Sequence, residues 1–175
     1  MSMRIRNATI GDLPKIRKIY TAAKSYMDAS GNPNQWPVGY PPEEYLRQDI
    51  DLSRLYVCEE NGSLCGVFML SMEDDPTYHY IDGAWVNEEP YGVIHRIASD
   101  GMKKGVFKTV LAFCKTKLAE HNIANLRIDT HADNKTMQHL METYGFGYCG
   151  IIYLENGSPR RAYQLVLSSD FTVKS

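Results

Sequence analysis

A strand, a lysine-rich turn and a helix follow one another between residues 92 and 118. Residues 93–98 are rich in β-branched side chains, which is typical of a strand. Apolar residues later recur at spacings of 4, 3 and 4, which places them on one face of a helix. The turn between them contains two glycines and three lysines: Gly101, Gly105, Lys103, Lys104 and Lys108.

This turn has the composition of an anion site. The first N–H groups of a helix lack partners within the helix, and the helix dipole adds partial positive charge there. Glycine lets a ligand approach the backbone closely, and the lysines add full charges. The segment therefore predicts a seat for a phosphate or pyrophosphate group. An ordinary strand-to-helix turn with solvated lysines fits the same residues, so the turn alone leaves both interpretations open.

Length and charge narrow the class of protein. A chain of 175 residues is long enough for one domain with a substantial core, and we expect a single domain over 1–175 with a frayed tail at 168–175. The net charge of -2 gives no basic bias toward nucleic acid. The sequence shows neither a signal peptide nor an apolar run long enough to span a bilayer, which favours a cytoplasmic protein without membrane contact.

The four cysteines do not form a metal motif. They stand at positions 58, 65, 114 and 149, without the two-residue spacing of zinc sites, so no metal is expected. A two-residue turn at Asn61-Gly62 would make Cys58 and Cys65 face each other. In a cytoplasmic chain, two reduced and packed thiols are favoured over a disulfide.

Periodicity and turn residues predict the remaining elements. Thr9 followed by Asp12 has the form of a helix entrance, Asp133 is expected to cap a later helix, and Gly145 to end that helix. The segment Tyr78–Trp85 is aromatic and resists assignment. The predicted strands are 4–8, 55–59, 64–70, 93–98, 125–130, 148–154 and 161–167, and the predicted helices are 9–28, 43–50, a third after 105 and a fourth after 133. This order predicts a mixed sheet with helices, in the α/β or α+β range.

Two aromatic residues lie in the turn-rich segment between the first two helices. Trp36 and Tyr40 stand among prolines, glycines and asparagines. Aromatic side chains in such loops often line a substrate pocket, because they supply contact area at low entropic cost. They also serve to pin a loop to the core. The sequence does not choose between these two roles.

The order of elements and three local motifs resemble the GNAT superfamily of N-acetyltransferases. The motifs are the strand running into Lys103-Lys-Gly-Val-Phe-Lys108, then Asn134-Lys-Thr-Met137, and then Tyr144-Gly-Phe146. Each motif is moderately specific, and the set is more specific because every member falls at its expected place. The resemblance covers nearly the whole chain. It implies a mostly antiparallel, splayed central sheet flanked by helices, with acetyl-CoA as the cosubstrate.

The resemblance also implies roles for particular residues. The strand before the turn would contact the pantetheine arm of acetyl-CoA through its backbone, and the turn and helix start would hold the pyrophosphate. Asn134 would touch the cofactor arm. The implied cofactor-binding residues are Ile97, Ala98, Ser99, Lys103, Lys104, Gly105, Val106, Phe107, Lys108 and Asn134.

Two positions depart from the family pattern. The turn of the family usually carries Arg or Gln first and a second Gly or Ala last, where this chain has Met102 and Phe107. The backbone N–H of Phe107 remains available to a phosphate. The position of the family's frequent general-acid tyrosine holds Met141, which cannot donate a proton. Tyr144 lies about one helical turn later and is a candidate substitute, although a structural role is more common for such a tyrosine.

Attack of an amine on a thioester needs a base for the amine and an acid for the departing thiolate. Histidine is the side chain that titrates near neutral pH, which makes His95 and His131 candidate bases. His79 with the acidic residues Glu73, Asp74 and Asp75 is a candidate site for a cationic substrate. A hydrogen-bonded structural role is the commoner one for a histidine on a strand.

The sequence therefore predicts an N-acetyltransferase that acts on a primary amine of a small molecule or of a peptide N-terminus. A degenerate domain that binds CoA without turnover is the alternative, motivated by Phe107 and Met141. An unrelated nucleotide-binding protein is disfavoured, because the turn matches neither the P-loop nor the dinucleotide-binding glycine pattern. By analogy with the family, the last strands are candidate dimer edges. The acceptor is not specified by the sequence.

Overall fold

The computed structural model describes residues 3–101 and 104–167. The α-helices are α1 (Leu13–Ala29), α2 (Glu43–Asp51), α3 (Val106–Glu120) and α4 (Lys135–Thr143). The strands are β1 (Arg4–Asn7), β2 (Leu55–Glu60), β3 (Ser63–Ser71), β4 (Asp82–Gly83), β5 (Gly92–Ser99), β6 (Asn125–Thr130), β7 (Gly147–Tyr153) and β8 (Pro159–Val166). The predicted tail, 168–175, lies outside the described residues.

The strands form one eight-stranded sheet in the order β1-β2-β3-β5-β6-β8-β7-β4. The pairs β1–β2, β2–β3, β6–β8, β7–β8 and β4–β7 are antiparallel. Strand β5 runs parallel to β6, with Gly92 opposite Leu126 and Val93 opposite Arg127. The predicted class, a mixed and mostly antiparallel sheet with helices, is confirmed.

Contacts divide the chain into two compact units, Met1–Ser71 with Ile94–Phe113, and Met72–Val93 with Cys114–Ser175. The first unit has its own core, in which α1 and α2 contribute buried residues together with β2 and β3. Its members include Ile16, Tyr20, Leu46, Val57 and Val67. The second unit has a smaller cluster made of Tyr78, Val93, Ile152 and Ala162. The expectation of a single domain stays a prediction.

The entrance of α1 is organised by one carboxylate. Asp12 accepts hydrogen bonds from the backbone N–H of Thr9 at 2.8 Å and from its hydroxyl at 3.1 Å, as the predicted helix entrance requires. Two guanidinium nitrogens of Arg6 donate to the same carboxylate at 2.8 and 3.0 Å. The hydrogen bonds from Arg6 outweigh burial and lower the pKa of Asp12 to about 2.

We expect Asp12→Asn to destabilise the protein by about 1 kcal/mol at neutral pH and to do so less in acid. The pKa of Asp12 is depressed in the folded state, so the stabilisation is present above the ordinary carboxyl pKa and is lost as pH falls toward 2. Urea unfolding of both proteins at several pH values measures the difference. Asp28, whose side chain is 52% exposed and pairs with Lys24 four residues earlier, provides the control, since Asp28→Asn should change stability by less than about 0.5 kcal/mol. A wild-type-to-variant difference that stays constant down to pH 2 would contradict this assignment.

The hairpin of β2 and β3 corrects one prediction. Asn61 and Gly62 both have positive φ values, 55° and 77°, and form the expected two-residue turn. A bulge between Cys58 and Glu59 shifts the register, so Cys58 lies opposite Gly66 instead of Cys65. The prediction that the two cysteines face each other was wrong because it assumed a regular ladder. Both thiols are reduced and buried, as expected, and burial raises the pKa of Cys58 to about 12.

The unassigned aromatic segment anchors the second unit. A one-turn 3-10 helix, Pro76–Tyr78, buries Tyr78, whose hydroxyl donates to Asp129 at 2.7 Å. The indole N–H of Trp85 donates to the Tyr78 carbonyl at 2.9 Å. The guanidinium of Arg127 lies between the rings of Trp85 and Tyr91, at 4.0 and 3.9 Å from their centres. Burial in aromatic contacts, rather than strand pairing alone, therefore holds this segment.

The start of α4 corrects a second prediction. Asn134, and not Asp133, is the capping residue, because its side-chain oxygen accepts from the Met137 N–H at 3.0 Å. The end of the helix agrees with the prediction at Gly145. The Phe146 N–H returns to the Met141 carbonyl at 2.9 Å, which closes the last turn.

Candidate functional site

The predicted anion seat lies in the first unit, between β5 and α3. Gly105 has a φ of +82°, and a Cβ placed on it would meet no atom of the described residues within 4 Å. Its carbonyl accepts the Thr109 N–H at 3.1 Å, which begins the helical hydrogen-bond pattern. Lys104 and Lys108 are exposed, whereas Val106 and Phe107 are buried. The turn therefore leaves open space beside a helix N-terminus and two lysines. Lys103 lies outside the described residues.

A glycine on a neighbouring strand lets α3 begin where it does. A Cβ at Gly66 of β3 would stand 2.9 Å from Cγ1 of Val106 and 3.2 Å from Sγ of Cys58. The lack of a side chain at Gly66 thus lets the first turn of α3 pack closely on the sheet. This contact, which was not predicted from the sequence, fixes the seat relative to the rest of the first unit.

The end of β5 leads directly into the seat. Within residues 97–99, Ala98 is buried and its two neighbours are half-buried. His95, earlier on the same strand, is half-buried as well. The Asp100 N–H donates to the Cys65 carbonyl at 3.1 Å. Backbone hydrogen bonding therefore continues to the residue after β5. Residues 97–99 are thus held in place next to the glycine turn.

Trp36 and Tyr40 lie in the first unit in different environments. Trp36 is only 8% exposed and packs edge-on against Tyr20, with ring centres 5.8 Å apart. Tyr40 packs on Trp36 at 5.5 Å and keeps part of its surface exposed. Trp36 therefore anchors the loop to the core, while Tyr40 lies at the edge of that core.

A charged cluster next to these aromatics was not predicted from the sequence. Arg96 on β5 and Arg54 both donate to the carboxylate of Asp49 on α2, which is almost fully buried. The hydroxyl of Tyr20 donates to the Arg96 carbonyl at 2.8 Å. The signal in the sequence is a charged residue, Arg96, inside a strand, but its partners are far away in the chain, so the sequence alone does not indicate the cluster.

A surface pocket of about 270 Å³ also lies in the first unit. Its lining includes Lys15 and Lys18 of α1, Ser63 and Leu64 of β3, and Asp100. Asp100 is close in sequence to the glycine turn. The first helix thus contributes two lysines to this part of the surface, a contribution that the turn motif alone did not reveal.

The other candidate residues lie in the second unit. His131 accepts the Asp133 N–H on Nδ1 at 3.0 Å, so the neutral ring carries its proton on Nε2. Asn134 uses its side-chain oxygen in the helix cap. Tyr144 is half-buried just after α4, and Met141 is fully buried. These contacts give His131 and Asn134 defined orientations.

The acidic segment before β4 is largely engaged in its own turn. Asp75 accepts from the N–H and the hydroxyl of Thr77, at 3.0 and 2.7 Å. Asp74 contacts the His79 ring at 2.5 Å and accepts from the Tyr91 hydroxyl at 3.3 Å. The described contacts therefore give Asp74 and Asp75, two of the three acids, a role in the local structure.

Comparison with known families decides the identity of this fold. The sequence model of the acetyltransferase (GNAT) family matches residues 14–146, which is most of the chain. The chain belongs to the GNAT family of acetyltransferases. Family membership places acetyl transfer, with acetyl-CoA as cosubstrate, at the centre of its chemistry. The predicted resemblance is confirmed.

Solved structures resemble this GNAT protein over nearly their whole length. A GNAT acetyltransferase from Streptococcus agalactiae 2603 is 28% identical, with a TM-score of 0.83 over 95% of this chain and 96% of that one. A candidate acetyltransferase from Staphylococcus aureus Mu50 is 26% identical, with a TM-score of 0.71 over 94% and 99%. YncA from Salmonella typhimurium, solved with its cofactor acetyl-CoA, shares the fold at 17% identity, with a TM-score of 0.62 over 97% and 96%. No curated protein sequence matches the chain.

The described part of this GNAT chain holds neither a membrane-crossing helix nor a metal cluster. Among residues 3–101 and 104–167, no helix is both long and apolar enough to cross a bilayer. The same residues contain no group of three or more His, Cys, Asp or Glu side chains arranged to hold a metal ion.

Proposed function

We propose that the protein transfers the acetyl group of acetyl-CoA to a primary amine of a small molecule or of a peptide N-terminus. The observation that carries the proposal is the helix start at Gly105 and Val106, with open space beside it and exposed lysines at 104 and 108. This arrangement suits a pyrophosphate, because helix N–H groups and lysine ammonium groups both favour phosphate oxygens.

Named residues take up the binding roles in this proposal. The backbone of residues 97–99 lies along the pantetheine arm, and the N–H groups of Gly105, Val106 and Phe107 donate to the pyrophosphate. Lys103, Lys104 and Lys108 supply positive charge. Asn134, whose side chain is oriented by its role as helix cap, is also assigned to the cofactor arm. The buried side chains of Val106 and Phe107 keep the helix start rigid while their backbone donates.

Acetyl transfer to an amine requires three proton movements. A base removes a proton from the ammonium form of the acceptor, so that its nitrogen lone pair can attack the thioester carbon. The attacking nitrogen then loses its second proton to water or to the base, the carbon–sulfur bond breaks, and an acid protonates the departing thiolate. We take His95 as the base because it lies on β5, the strand whose residues 97–99 are assigned to the cofactor arm, and Tyr144 as the candidate acid. In His131 the Nδ1 lone pair accepts the Asp133 N–H, which places the proton of the neutral ring on Nε2.

This assignment predicts unequal effects of two histidine substitutions. We expect His95→Gln to lower kcat/KM by about 10²-fold or more, which is the usual contribution of a general base. His131→Gln should lower it by less than about tenfold, since loss of a hydrogen bond to a loop is a smaller change. Initial rates of CoA thiol release with one accepted amine measure both. The assignment is wrong if His131→Gln causes the larger loss while both variants keep the same unfolding temperature.

The function itself is tested by screening amines for acetyl-CoA-dependent thiol release. The panel contains free amino acids, polyamines, aminoglycoside-like amines and short peptides with a free N-terminus. Transfer to at least one amine, with the acetylated product identified by mass, supports the proposal. Binding of acetyl-CoA without transfer to any amine would instead favour a domain that binds CoA without turnover.

A further inference from the structure

The surface pocket of the first unit lies near the start of α3. The Asp100 N–H donates to the Cys65 carbonyl at 3.1 Å, which ties one lining residue of the pocket to β3. A Cβ at Gly66 on the same strand would stand 2.9 Å from Cγ1 of Val106, the first residue of α3. Leu64, another lining residue, precedes Gly66 by two positions, which is roughly 7 Å along a strand. The pocket is therefore close to the helix start that is assigned to the pyrophosphate.

The size of this pocket suits part of a ligand rather than a complete one. Its volume is about 270 Å³, whereas sites that enclose a whole small molecule measure roughly 300–1,000 Å³. The lining consists of two lysines, a serine, an aspartate and two aliphatic residues: Lys15, Lys18, Ser63, Asp100, Ile19 and Leu64. With two cations and one anion, the lining residues carry a net positive charge, which favours a small anionic group.

The two lysines lie where their own helix does not favour positive charge. Lys15 and Lys18 are exposed and are the third and sixth residues of α1. The helix dipole places partial positive charge at this end, so cations are unfavourable there. Among residues 3–101 and 104–167, neither ammonium group forms an ion pair or a hydrogen bond. Lys24, farther along α1, instead donates to Asp28 and to the Pro33 carbonyl, both at 2.8 Å. An anion in the pocket would supply the opposite charge that Lys15 and Lys18 lack.

The other lining residues favour a phosphate that is carried on a sugar. A carboxylate such as Asp100 repels a bare anion but accepts hydrogen bonds from hydroxyl groups. Ile19 and the half-buried Leu64 add apolar surface, which suits the carbon atoms of a ring. The ribose of CoA bears a 3′-phosphate beside a free 2′-hydroxyl, and its 5′ carbon carries the pyrophosphate. A pyrophosphate bound at the start of α3 therefore leaves the 3′-phosphate only one ribose away.

We propose that this pocket binds the 3′-phosphate of CoA, with Lys15 and Lys18 as its cationic contacts. This inference rests on the proposed function, because it takes the pyrophosphate to lie at the start of α3. Lysine binds phosphate as a point charge on a flexible stem, so these contacts do not require a fixed geometry. The pocket is then a second anchor for the nucleotide end of the cofactor, separate from the turn at Gly105, and it selects CoA over analogues that lack the 3′-phosphate.

The test compares two cofactors that differ by one phosphate. CoA and 3′-dephospho-CoA are titrated separately into the protein without an acceptor, and binding is measured by calorimetry. Both ligands keep the pyrophosphate and the pantetheine arm, so a difference in affinity reports the 3′-phosphate alone. We expect the wild type to bind CoA about fivefold or more tightly, as two contacts between partly exposed charges predict. The preference should decrease as salt is added, because salt screens exposed charges.

Two variants of α1 assign the preference to the pocket. Lys15→Gln combined with Lys18→Gln should reduce the preference for CoA to less than about twofold, while the affinity for 3′-dephospho-CoA changes by less than about twofold. Lys24→Gln removes a cation from the same helix outside the pocket lining and should keep the wild-type preference. The double variant also removes two cations from the unfavourable end of α1, so its unfolding temperature without ligand should not fall.

The outcomes of this test distinguish the pocket from the proposed function. Equal affinity of the wild type for the two cofactors, or a preference that survives in the double lysine variant, overturns the role of the pocket and leaves acetyl transfer possible. Lysine-dependent binding of inorganic phosphate to protein already saturated with CoA would mean that the pocket takes a phosphate from another source, which also overturns it. Absence of binding by either cofactor overturns the proposed function and, with it, this inference.

Discussion

Gly105→Glu is expected to abolish the stabilisation that saturating acetyl-CoA gives to the wild-type protein. Ligand at about 100 times its dissociation constant stabilises a folded protein by about 2.7 kcal/mol. For a chain of this length that corresponds to a rise in unfolding temperature of roughly 5–10 °C. Thermal unfolding with and without acetyl-CoA measures the rise directly, and no acceptor needs to be known.

The response to acetyl-CoA is lost because glutamate adds a negative charge and volume at the helix start. Within the part of the chain that the structure describes, a Cβ at position 105 meets no atom within 4 Å, so glutamate projects into the space beside the turn. Its carboxylate would repel phosphate oxygens and would interact with Lys104 and Lys108 in their place. The φ of +82° adds strain of roughly 1–2 kcal/mol, which lowers the unfolding temperature with or without ligand.

Gly157→Glu is the matched control for that strain and charge. Gly157 has a φ of +84° and open space around a Cβ, but it lies in the turn between β7 and β8. Without ligand, Gly157→Glu should lower the free energy of unfolding by about as much as Gly105→Glu does. With acetyl-CoA, it should keep the full wild-type rise in unfolding temperature. A wild-type-sized response in Gly105→Glu would remove the turn from the cofactor seat, whereas loss of the response in both variants would point to unfolding.

Gly150→Ala is expected to destabilise the protein by roughly 2–4 kcal/mol, a large loss for the addition of one methyl group. A Cβ on Gly150 would stand 2.2 Å from the Asp82 carbonyl oxygen and 2.9 Å from Cα of Gly83. Both are backbone atoms of the paired strand β4, so no side-chain rotation relieves the clash. The φ of +143° adds conformational strain. The unfolding temperature should fall by roughly 5–15 °C.

Gly147→Ala tests whether position, rather than loss of glycine, produces this effect. Gly147 belongs to the same strand, β7, and a Cβ there meets its nearest atom, the Gln164 carbonyl oxygen, at 4.0 Å. That is ordinary contact, so the change in unfolding free energy should stay within about 1 kcal/mol and can be stabilising. Urea unfolding of both variants gives the comparison. Equal losses would mean that β4 does not pack closely on Gly150.

Local features of the sequence predicted most of the elements. Most predicted ends of helices and strands lie within two residues of the observed ones, because apolar periodicity and turn residues act over a few neighbouring positions. The glycine turn before α3 was likewise predicted from neighbouring residues. Its proposed role follows from the directions of helix N–H groups and from Gly105, which are properties of a short segment.

Two local details differ from the sequence prediction. The bulge at Cys58 shifts the cysteine register, and Asn134 rather than Asp133 is the helix cap. In both cases two neighbouring arrangements are locally similar, so the sequence pattern does not distinguish them.

The sequence by itself determined the family of this protein, because the family pattern extends over residues 14–146. It also predicts where a phosphate would bind, because that prediction uses only residues close together in the chain. Only the tertiary structure assembled the cluster of Asp49, Arg54 and Arg96. Asp49 and Arg96 are separated by 47 positions, and no periodicity or motif links them. Charge pairing at such separation depends on which helix packs on which strand, and folding decides that through burial of the whole core.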